Sequence, residues 1–348
     1  MDKILMKGNE AIAEAAIRAN CLHFFGYPIT PQTEVSAYMA KRMPKVGGTF
    51  LQAESEVAAI NMVYGAAGVG VRAMTSSSSP GISLKAEGIS YIAGADLPCV
   101  VVNIVRGGPG LGGIQPAQSD YFQAVKGGGH GDYKLIVIAP SSIQEVVNST
   151  FDAFDLADKY RMPVMILGDG ILGQMMEPVT FPEVTATVAD KDWATTGTDG
   201  KRKPNIINSL YIVAEQLEDV VRRRQLKYDE IQQNEVKYEA ENTEDAEVLV
   251  VAYGTTARIV KAAVKKAREN GIKAGLIRPI TLWPFPSEVI SETAKKVKSI
   301  LTVEMSMGQM VEDVKLAANG ACPVHFYGRT GGVVPDPDAI FEEIRRCV

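Results

Sequence analysis

Cysteine and histidine are scarce in this chain. Its 348 residues include 4 cysteines and 3 histidines. The cysteines stand at positions 21, 99, 322 and 347, and no two of them are close in the sequence. This spacing fits neither a disulfide framework nor the ligand set of a zinc or iron–sulfur centre. We therefore expect reduced structural thiols and no metal site in this chain.

Long apolar runs and an excess of basic charge are also missing. No stretch approaches the roughly 18 apolar residues that would span a bilayer, and the first residues lack the basic and apolar segments of a signal peptide. The net charge of -5 gives no electrostatic reason to expect nucleic acid. We expect a cytoplasmic protein without a membrane or nucleic-acid partner.

The sequence does contain a regular alternation of strand-like and helical runs. Strands are predicted at 49–52, 72–76, 98–105, 135–139 and 163–167, and helices at 9–24, 33–42, 56–65, 84–93 and 141–158. This alternation is typical of an α/β fold with a mostly parallel sheet covered on both faces. Ligands of such sheets bind at the carboxyl ends of the strands. The loops near Gln52, Thr75, Arg106 and Gly168 are therefore candidates for a site.

The character of the chain changes near residue 190. Residues 191–246 combine a polar linker with a highly charged helical stretch, which predicts an exposed arm between two domains or a surface for a partner subunit. The basic trio 222–224 is assigned to that surface. Four strands alternating with four helices then begin at Glu247. We predict domains at 1–190 and 247–348, joined by the arm.

One candidate site element is the loop Gly26–Pro31, together with Glu56 farther along the chain. Pro28 and Pro31 restrict the loop backbone, so Thr30 is expected to be held rigidly just past the end of the predicted helix. Glu56 stands at the start of a helix rich in alanine and valine. A carboxylate at such a position is either a helix cap or a functional group.

Two loops at predicted strand ends could bind an anion. The glycine-rich run from Arg106 to Gly113 formally contains GxGxxG, but Pro109 and Pro116 oppose the helix that a dinucleotide site requires. Arg106 then remains either a guanidinium that clamps a carboxylate or a surface residue. The run Thr75–Gly81 offers hydroxyls and amides that could cap the next helix or hold an anion.

Two weaker motifs leave their alternatives open. The Gly-Asp-Gly run at Gly168–Gly170 matches half of the metal and diphosphate motif of thiamine enzymes. The asparagine required roughly 25 to 30 residues later is missing, because the next one is Asn205. We interpret the run as a turn after a strand. His130, in a glycine-rich loop, either faces a ligand or fills a turn.

Six ordered motifs together resemble the alpha subunit of 2-oxoacid:ferredoxin oxidoreductases over essentially the whole chain. They are Tyr27–Pro31, Gln52–Glu56, Ser77–Gly81, Arg106–Gly113, Gly127–Asp132 and Leu276–Pro286. The Gly-Leu-Gly after Pro109 and the run from Asp120 resemble the 2-oxoisovalerate branch more than the 2-oxoglutarate branch. The resemblance implies a thiamine-diphosphate-binding fold of the pyrimidine type, followed by a transketolase C-terminal-like α/β domain.

The resemblance also implies roles for individual residues. Glu56 matches the glutamate that hydrogen-bonds N1′ of the cofactor's pyrimidine ring and promotes formation of the nucleophilic ylide. Thr30 matches a threonine near the cofactor and the substrate carbonyl, and Arg106 matches an arginine on the oxoacid or coenzyme A side. The other implied cofactor-binding residues are Tyr27, Pro28, Ile29, Ser78 and Ser79.

The implied activity is oxidative decarboxylation of 3-methyl-2-oxobutanoate with coenzyme A, which gives acyl-CoA, CO2 and reduced ferredoxin. Leu111, where many family members carry a threonine, favours a branched aliphatic substrate because a buried unpaired hydroxyl costs about 1 to 3 kcal/mol.

The resemblance further implies partner subunits. Thiamine diphosphate would be shared with a beta subunit, and magnesium and iron–sulfur clusters would lie in partner subunits only. A gamma subunit, a ferredoxin-like subunit and, in one arrangement, a second alpha subunit complete the implied assembly. The alternatives are a 2-oxoglutarate enzyme, a non-catalytic assembly subunit, a self-contained thiamine enzyme and a nucleotide-binding protein.

Overall fold

The computed structural model describes residues 3–183 and 191–348. These residues form a seven-stranded sheet, a five-stranded sheet and a two-stranded ribbon. The strands are β1 (Ile4–Lys7), β2 (His23–Gly26), β3 (Thr49–Gln52), β4 (Ala73–Ser77), β5 (Cys99–Val105), β6 (Ile136–Ile138), β7 (Pro163–Asp169), β8 (Met176–Val179), β9 (Tyr238–Glu241), β10 (Val248–Val251), β11 (Ala274–Pro279), β12 (Thr281–Trp283), β13 (Ser299–Glu304) and β14 (Val324–Gly328).

Helices connect most of these strands. The α-helices are α1 (Gly8–Arg18), α2 (Thr33–Arg42), α3 (Glu56–Gly68), α4 (Pro80–Gly94), α5 (Tyr121–Val125), α6 (Ile143–Tyr160), α7 (Gly170–Gln174), α8 (Ala214–Asn234), α9 (Gly254–Glu269), α10 (Ser287–Ala294), α11 (Met310–Ala318) and α12 (Pro337–Arg346). No α-helix among the described residues is long and apolar enough to cross a bilayer.

The seven-stranded sheet has the order β12-β6-β7-β5-β4-β2-β3. Its strands are parallel except β12, which pairs antiparallel with β6. Every residue of β5 and β7 is buried, as near-continuous apolar strands in the middle of a parallel sheet should be. The predicted α/β fold is confirmed, and the carboxyl ends of β2, β4 and β5 lie at one edge of the sheet.

The helix predicted at 9–24 is wrong over residues 19–24. Helix α1 ends at Arg18, and His23–Gly26 is the strand β2, which pairs with β3 and β4. Phe24 is completely buried, and its ring stacks on Phe50 with the ring centroids 5.8 Å apart. Burial against both neighbouring strands overrides the local helical pattern. The loop that carries Thr30 therefore follows the carboxyl end of a strand. The candidate loops after β4 and β5 also follow strands.

The predicted domain boundaries differ from the sheet topology. The smaller sheet has the order β14-β13-β10-β11-β9, and its antiparallel edge strand β9 comes from the segment predicted as linker and arm. Strand β12, from the predicted C-terminal domain, joins the edge of the large sheet. Which sheet a strand joins is decided by pairing between segments that are distant in the sequence. A local sequence pattern does not show which segments pair.

Helix α8, the core of the predicted arm, is not fully exposed. Val220, Arg224, Tyr228 and Ile231 are buried. The Arg224 guanidinium donates to the Gly94 carbonyl oxygen at 3.0 Å and pairs with Asp96. One member of the basic trio thus anchors the helix to the first half of the chain instead of belonging to a free surface.

Candidate active site

The loop after β2 is fixed by a buried glutamine. Gln32 is completely buried, its side-chain amide donates to the Tyr27 carbonyl oxygen at 3.4 Å, and its Oε1 accepts from Ser76 Oγ at 2.5 Å. Thr30 and Pro28 are exposed, whereas Tyr27 and Ile29 are half-buried. The loop is therefore tied to the end of β4 and presents Thr30 to solvent at the sheet edge.

Glu56 lies in the first turn of α3 and is not its cap. Ser55 is the N-cap, since its Oγ accepts from the Ala58 amide at 3.1 Å. Glu56 is 6% exposed, whereas Glu54 is exposed. Among the described residues, no hydrogen bond or ion pair engages the Glu56 carboxylate. A buried carboxylate that is free of a capping role is available for a ligand.

The turn from β4 into α4 holds further unpaired polar groups. The hydroxyls of Ser77 and Ser78 are buried and have no hydrogen-bond partner among the described residues. A Cβ atom at Gly81 would lie 2.9 Å from Oε1 of Glu56 and still closer to Oγ of Ser77. Glycine at this position therefore lets the Glu56 carboxylate approach the start of α4.

Ser79 has a φ of 26°, which is a strained conformation for a residue with a side chain. Hydrogen bonds hold it there: its amide donates to Asn103 Oδ1 at 3.1 Å, and its Oγ accepts from the Arg106 amide at 3.1 Å. Asn103 in turn donates to Asp120 Oδ2 at 2.9 Å. Burial raises the pKa of Asp120, against hydrogen bonds from Asn103 and Ser79.

Arg106 connects two loops. It is 7% exposed, and its Nη1 donates to the Thr30 carbonyl oxygen at 2.9 Å while Nη2 donates to the Leu111 carbonyl oxygen at 3.1 Å. Its Nε is buried without a hydrogen-bond partner among the described residues. The guanidinium therefore orders the site loops, and its buried Nε–H group remains available for a ligand.

The structure thus brings together the sequence-predicted residues at the ends of β2, β4 and β5. Glu56 lies against Gly81 and Ser77, and Ser79 lies against Arg106, which binds the backbone of Thr30. Sequence reasoning missed four polar residues around this cluster, namely Gln32, Lys85, Asn103 and Asp120. Two of them could have been found from the sequence, because a lysine is unusual in the largely apolar helix α4 and an asparagine is unusual inside the apolar strand β5.

The weaker candidates lie elsewhere or have structural partners. Asp169 caps α7 by accepting from the Ile171 amide at 2.8 Å, and its other oxygen accepts from the Thr255 hydroxyl. Gly168 and Asp169 end β7 and Gly170 begins α7, so the Gly-Asp-Gly run is a direct junction of strand and helix and not the separate turn that the sequence predicts. His130 is exposed, and its ring packs edge-on against Tyr91 with the ring centroids 5.8 Å apart.

Known families and proteins resemble this chain along its length. A family model described as pyruvate flavodoxin/ferredoxin oxidoreductase, thiamine diphosphate-binding, matches residues 14–253. A second model, pyruvate:ferredoxin oxidoreductase core domain II, matches residues 246–340.

Individual proteins are similar over comparable lengths. The ketoisovalerate oxidoreductase subunit VorB of Methanothermobacter marburgensis is 51% identical over 98% of this chain and 97% of its own length. The 2-oxoglutarate synthase subunit KorA of Methanothermobacter thermautotrophicus is 36% identical over 99% of this chain and 98% of its own length.

A solved structure shares the whole architecture. The 2-oxoglutarate:ferredoxin oxidoreductase from Magnetococcus marinus, with 2-oxoglutarate, coenzyme A and succinyl-CoA bound, superposes with a TM-score of 0.88 at 28% identity. The match covers 99% of this chain, which spans 65% of that longer chain. This chain belongs to the pyruvate flavodoxin/ferredoxin oxidoreductase family.

Proposed function

We propose that this chain supplies the pyrimidine-binding half of a thiamine diphosphate site in a ferredoxin-dependent 2-oxoacid oxidoreductase. The proposed reaction is the oxidative decarboxylation of 3-methyl-2-oxobutanoate with coenzyme A. The residues that carry it are Glu56, Thr30 and Arg106, with Tyr27, Pro28, Ile29, Ser78 and Ser79 lining the cofactor side. The chain acts only together with partner subunits.

The observation that carries the proposal is the unpaired Glu56 carboxylate beside the unpaired hydroxyls of Ser77 and Ser78. Buried polar groups are normally paired, so this cluster fits a ring that offers several nitrogen donors and acceptors, as an aminopyrimidine does. When bound, thiamine diphosphate supplies a carbon nucleophile that attacks the 2-oxo group. Glu56 holds a proton at the ring nitrogen, and Arg106 keeps the Thr30 loop in place.

Similarity to named relatives supports the choice of substrate. Identity is 51% to the ketoisovalerate subunit and 36% to the 2-oxoglutarate subunit. The Leu111 side chain itself is 84% exposed and only its backbone carbonyl is bound to Arg106, so the choice of the branched substrate depends on these identities.

The helices that carry the site have apolar side chains left exposed. Val57 on α3 is 44% exposed and Leu84 on α4 is 55% exposed, and both are close in sequence to site residues. We assign this surface to the beta subunit, which would hold the diphosphate and magnesium. The exposed apolar residues would then be covered in the assembled enzyme.

Electron transfer is assigned to other subunits. The four cysteines are dispersed in the sequence, and no group of three or more metal-ligating residues occurs in the described ranges. We therefore place the iron–sulfur clusters in the ferredoxin-like or other partner subunits, from which ferredoxin is reduced. A gamma subunit completes the proposed assembly.

The decisive experiment compares Glu56→Ala with Glu54→Ala in the complex co-expressed with its neighbouring subunits. Viologen reduction is followed with coenzyme A and each of 3-methyl-2-oxobutanoate, 2-oxoglutarate and pyruvate, and thiamine diphosphate binding is measured by calorimetry. Glu54 is two residues away and exposed, so it is a matched control. We expect preference for the branched acid, loss of activity and weak cofactor binding in Glu56→Ala, and normal behaviour in Glu54→Ala.

Each result has a separate consequence. Preference for 2-oxoglutarate would overturn the substrate and leave the role of Glu56 standing. An active Glu56→Ala complex with normal cofactor binding would show that the chain serves assembly alone.

A further inference from the structure

Lys85 is a lysine with no access to solvent. Its relative exposure is 0%. The ammonium group donates to Thr75 Oγ1 at 2.7 Å and to the Ser76 carbonyl oxygen at 2.9 Å, both at the carboxyl end of β4. Lysines are almost never fully buried unless they are paired, and these two partners are uncharged. The charge of Lys85 therefore needs another explanation.

Helix geometry directs Lys85 towards Glu56. Lys85 follows Gly81 by four residues, so the two share one face of α4, and long helical side chains point back towards the N-terminus of the helix. That face at Gly81 is where Oε1 of Glu56 makes its close approach. The ammonium and the carboxylate thus converge on the first turn of α4 without forming a direct ion pair.

The electrostatics agree with this placement. Burial lowers the pKa of Lys85 to about 7, and the one charge that opposes this shift is the Glu56 carboxylate. Of the elements packed against α4, β4 presents uncharged hydroxyl and carbonyl groups, and β7 has its single carboxylate, Asp169, engaged with Thr255 and the start of α7. Glu56 on α3 is the charged group that faces Lys85.

We propose that Lys85 is the buried counter-ion of Glu56 and a positioning residue of the cofactor site. The inference rests on the proposed function for the identity of the cofactor. In the cofactor-free protein the ammonium holds the Glu56 carboxylate in its position beside Gly81. Because Ser76 also binds Gln32, the same arrangement connects Glu56 to the loop that carries Thr30.

The test is a double-mutant cycle in the cofactor-free complex. Thermal midpoints are measured between about pH 4.5 and 8 for the wild type, Glu56→Gln, Lys85→Met and the double variant. A buried charge left without its counter-ion is destabilising. Each single variant should therefore lower the thermal midpoint. The midpoint of the double variant should lie about 2 °C or more above the value that the sum of the two single decreases predicts.

The pH profile supplies a readout that a purely structural lysine would not move. Lys85 carries its charge below a pKa of about 7 and loses it above. The coupling between Glu56 and Lys85 should therefore shrink as the pH rises through about 7. A lysine that serves only to bind Thr75 and Ser76 would show no such change in the coupling.

Two further variants keep the proposal testable if Lys85→Met fails to assemble. Lys85→Gln is neutral and retains the capacity to bind Thr75 and Ser76, so a purely structural role would be preserved while the coupling to Glu56 is lost. Lys265→Met, with a side chain that is 79% exposed, is the control and should show no coupling.

Additive midpoint shifts together with an unmoved pH profile would overturn the counter-ion assignment. That result would leave the proposed function intact, because cofactor binding and activity of the Glu56 variants are measured separately. Conversely, a coupled pair in a complex where Glu56→Gln binds thiamine diphosphate normally would support the pair and sink the proposed role of Glu56.

Discussion

Nη1 of Arg106 donates a hydrogen bond of 2.9 Å to the carbonyl oxygen of Thr30, 76 positions away in the sequence. The same guanidinium holds the Leu111 carbonyl at 3.1 Å. The planar fork of arginine makes these bonds from two separate nitrogens, a spacing that the single nitrogen of a lysine cannot reproduce. Arg106 thus sets the relative position of two loops that border the candidate site.

Replacing Arg106 with lysine should loosen both loops while the positive charge is retained. Hydrogen bonds to charged groups contribute about 1.5 to 3 kcal/mol each, so we expect kcat/KM for the 2-oxoacid to fall by roughly tenfold or more. Viologen reduction by the assembled complex measures this. Arg222→Lys, on the exposed face of α8, should leave kcat/KM unchanged. Wild-type kinetics in the Arg106 variant would contradict the proposal that Arg106 positions the two loops.

Gly81→Ala should weaken cofactor binding, because the new methyl group would meet Oε1 of Glu56 and the Ser77 hydroxyl. We expect the dissociation constant of thiamine diphosphate, measured by calorimetry, to rise at least about tenfold, equivalent to about 1.4 kcal/mol.

The matched control for this variant is Gly65→Ala within α3. Apart from its chain neighbours and the backbone of its own helix, no heavy atom of the described residues lies within 4 Å of a Cβ atom at Gly65. This change should therefore stabilise the helix by about 1 kcal/mol and spare cofactor binding. Equal cofactor affinity in the two variants would rule out the close approach at Gly81.

Asp169→Asn should remove a pH dependence of stability. Burial raises the pKa of Asp169 from 3.8 to about 6. The folded state therefore binds the proton more tightly than the unfolded state. The resulting contribution of Asp169 to the free energy of unfolding is complete below pH 3.8 and is lost as the pH rises through about 6. Each unit of the pKa difference corresponds to about 1.4 kcal/mol.

Calorimetry of the complex between pH 4 and 7 checks the sign. The Tm of the wild type relative to Asp169→Asn should decrease as the pH rises, since asparagine stays neutral and still caps α7. Asp229→Asn, on an exposed part of α8, is the control. A Tm difference between wild type and Asp169→Asn that does not change with pH would refute the raised pKa of Asp169.

Gln118→Ala should loosen the contact between residues 1–190 and residues 247–348, which are called the two halves of the chain below. The Gln118 side chain is 3% exposed, donates to the Tyr253 carbonyl at 3.0 Å and accepts from Thr256 Oγ1 at 2.7 Å and from the Met305 amide at 3.0 Å. Its loss leaves the Thr256 hydroxyl and the Met305 amide unpaired, at about 1 to 3 kcal/mol for each, whereas the Tyr253 carbonyl keeps the hydrogen bond from the Ala257 amide.

The expected result is a Tm several degrees lower, with faster proteolysis between the halves. Gln225→Ala, which removes a glutamine from the exposed side of α8, should change neither. A Gln118 variant with the wild-type Tm would show that other contacts hold the two halves together.

Much of the secondary structure could be predicted from the sequence, because its signals are local. Helix α2 and strand β3 are found at their predicted bounds, and β7 begins where it is predicted to begin. The apolar run Cys99–Val105 has no face for solvent, which predicts a central parallel strand. The site motifs are equally local, since Glu56 follows a strand and opens a helix within a few residues.

The sequence by itself thus determined the α/β class, the order of most elements and the loops that carry Glu56, Thr30 and Arg106. Only the tertiary structure decided that β9 and β12 cross the predicted domain boundaries, that Arg106 binds the Thr30 backbone, and that Lys85 is buried facing Glu56. The physical reason is that periodicity and turn chemistry act over a few residues. Strand pairing, burial of a charge and the choice of its partner depend on segments that meet only in the folded chain.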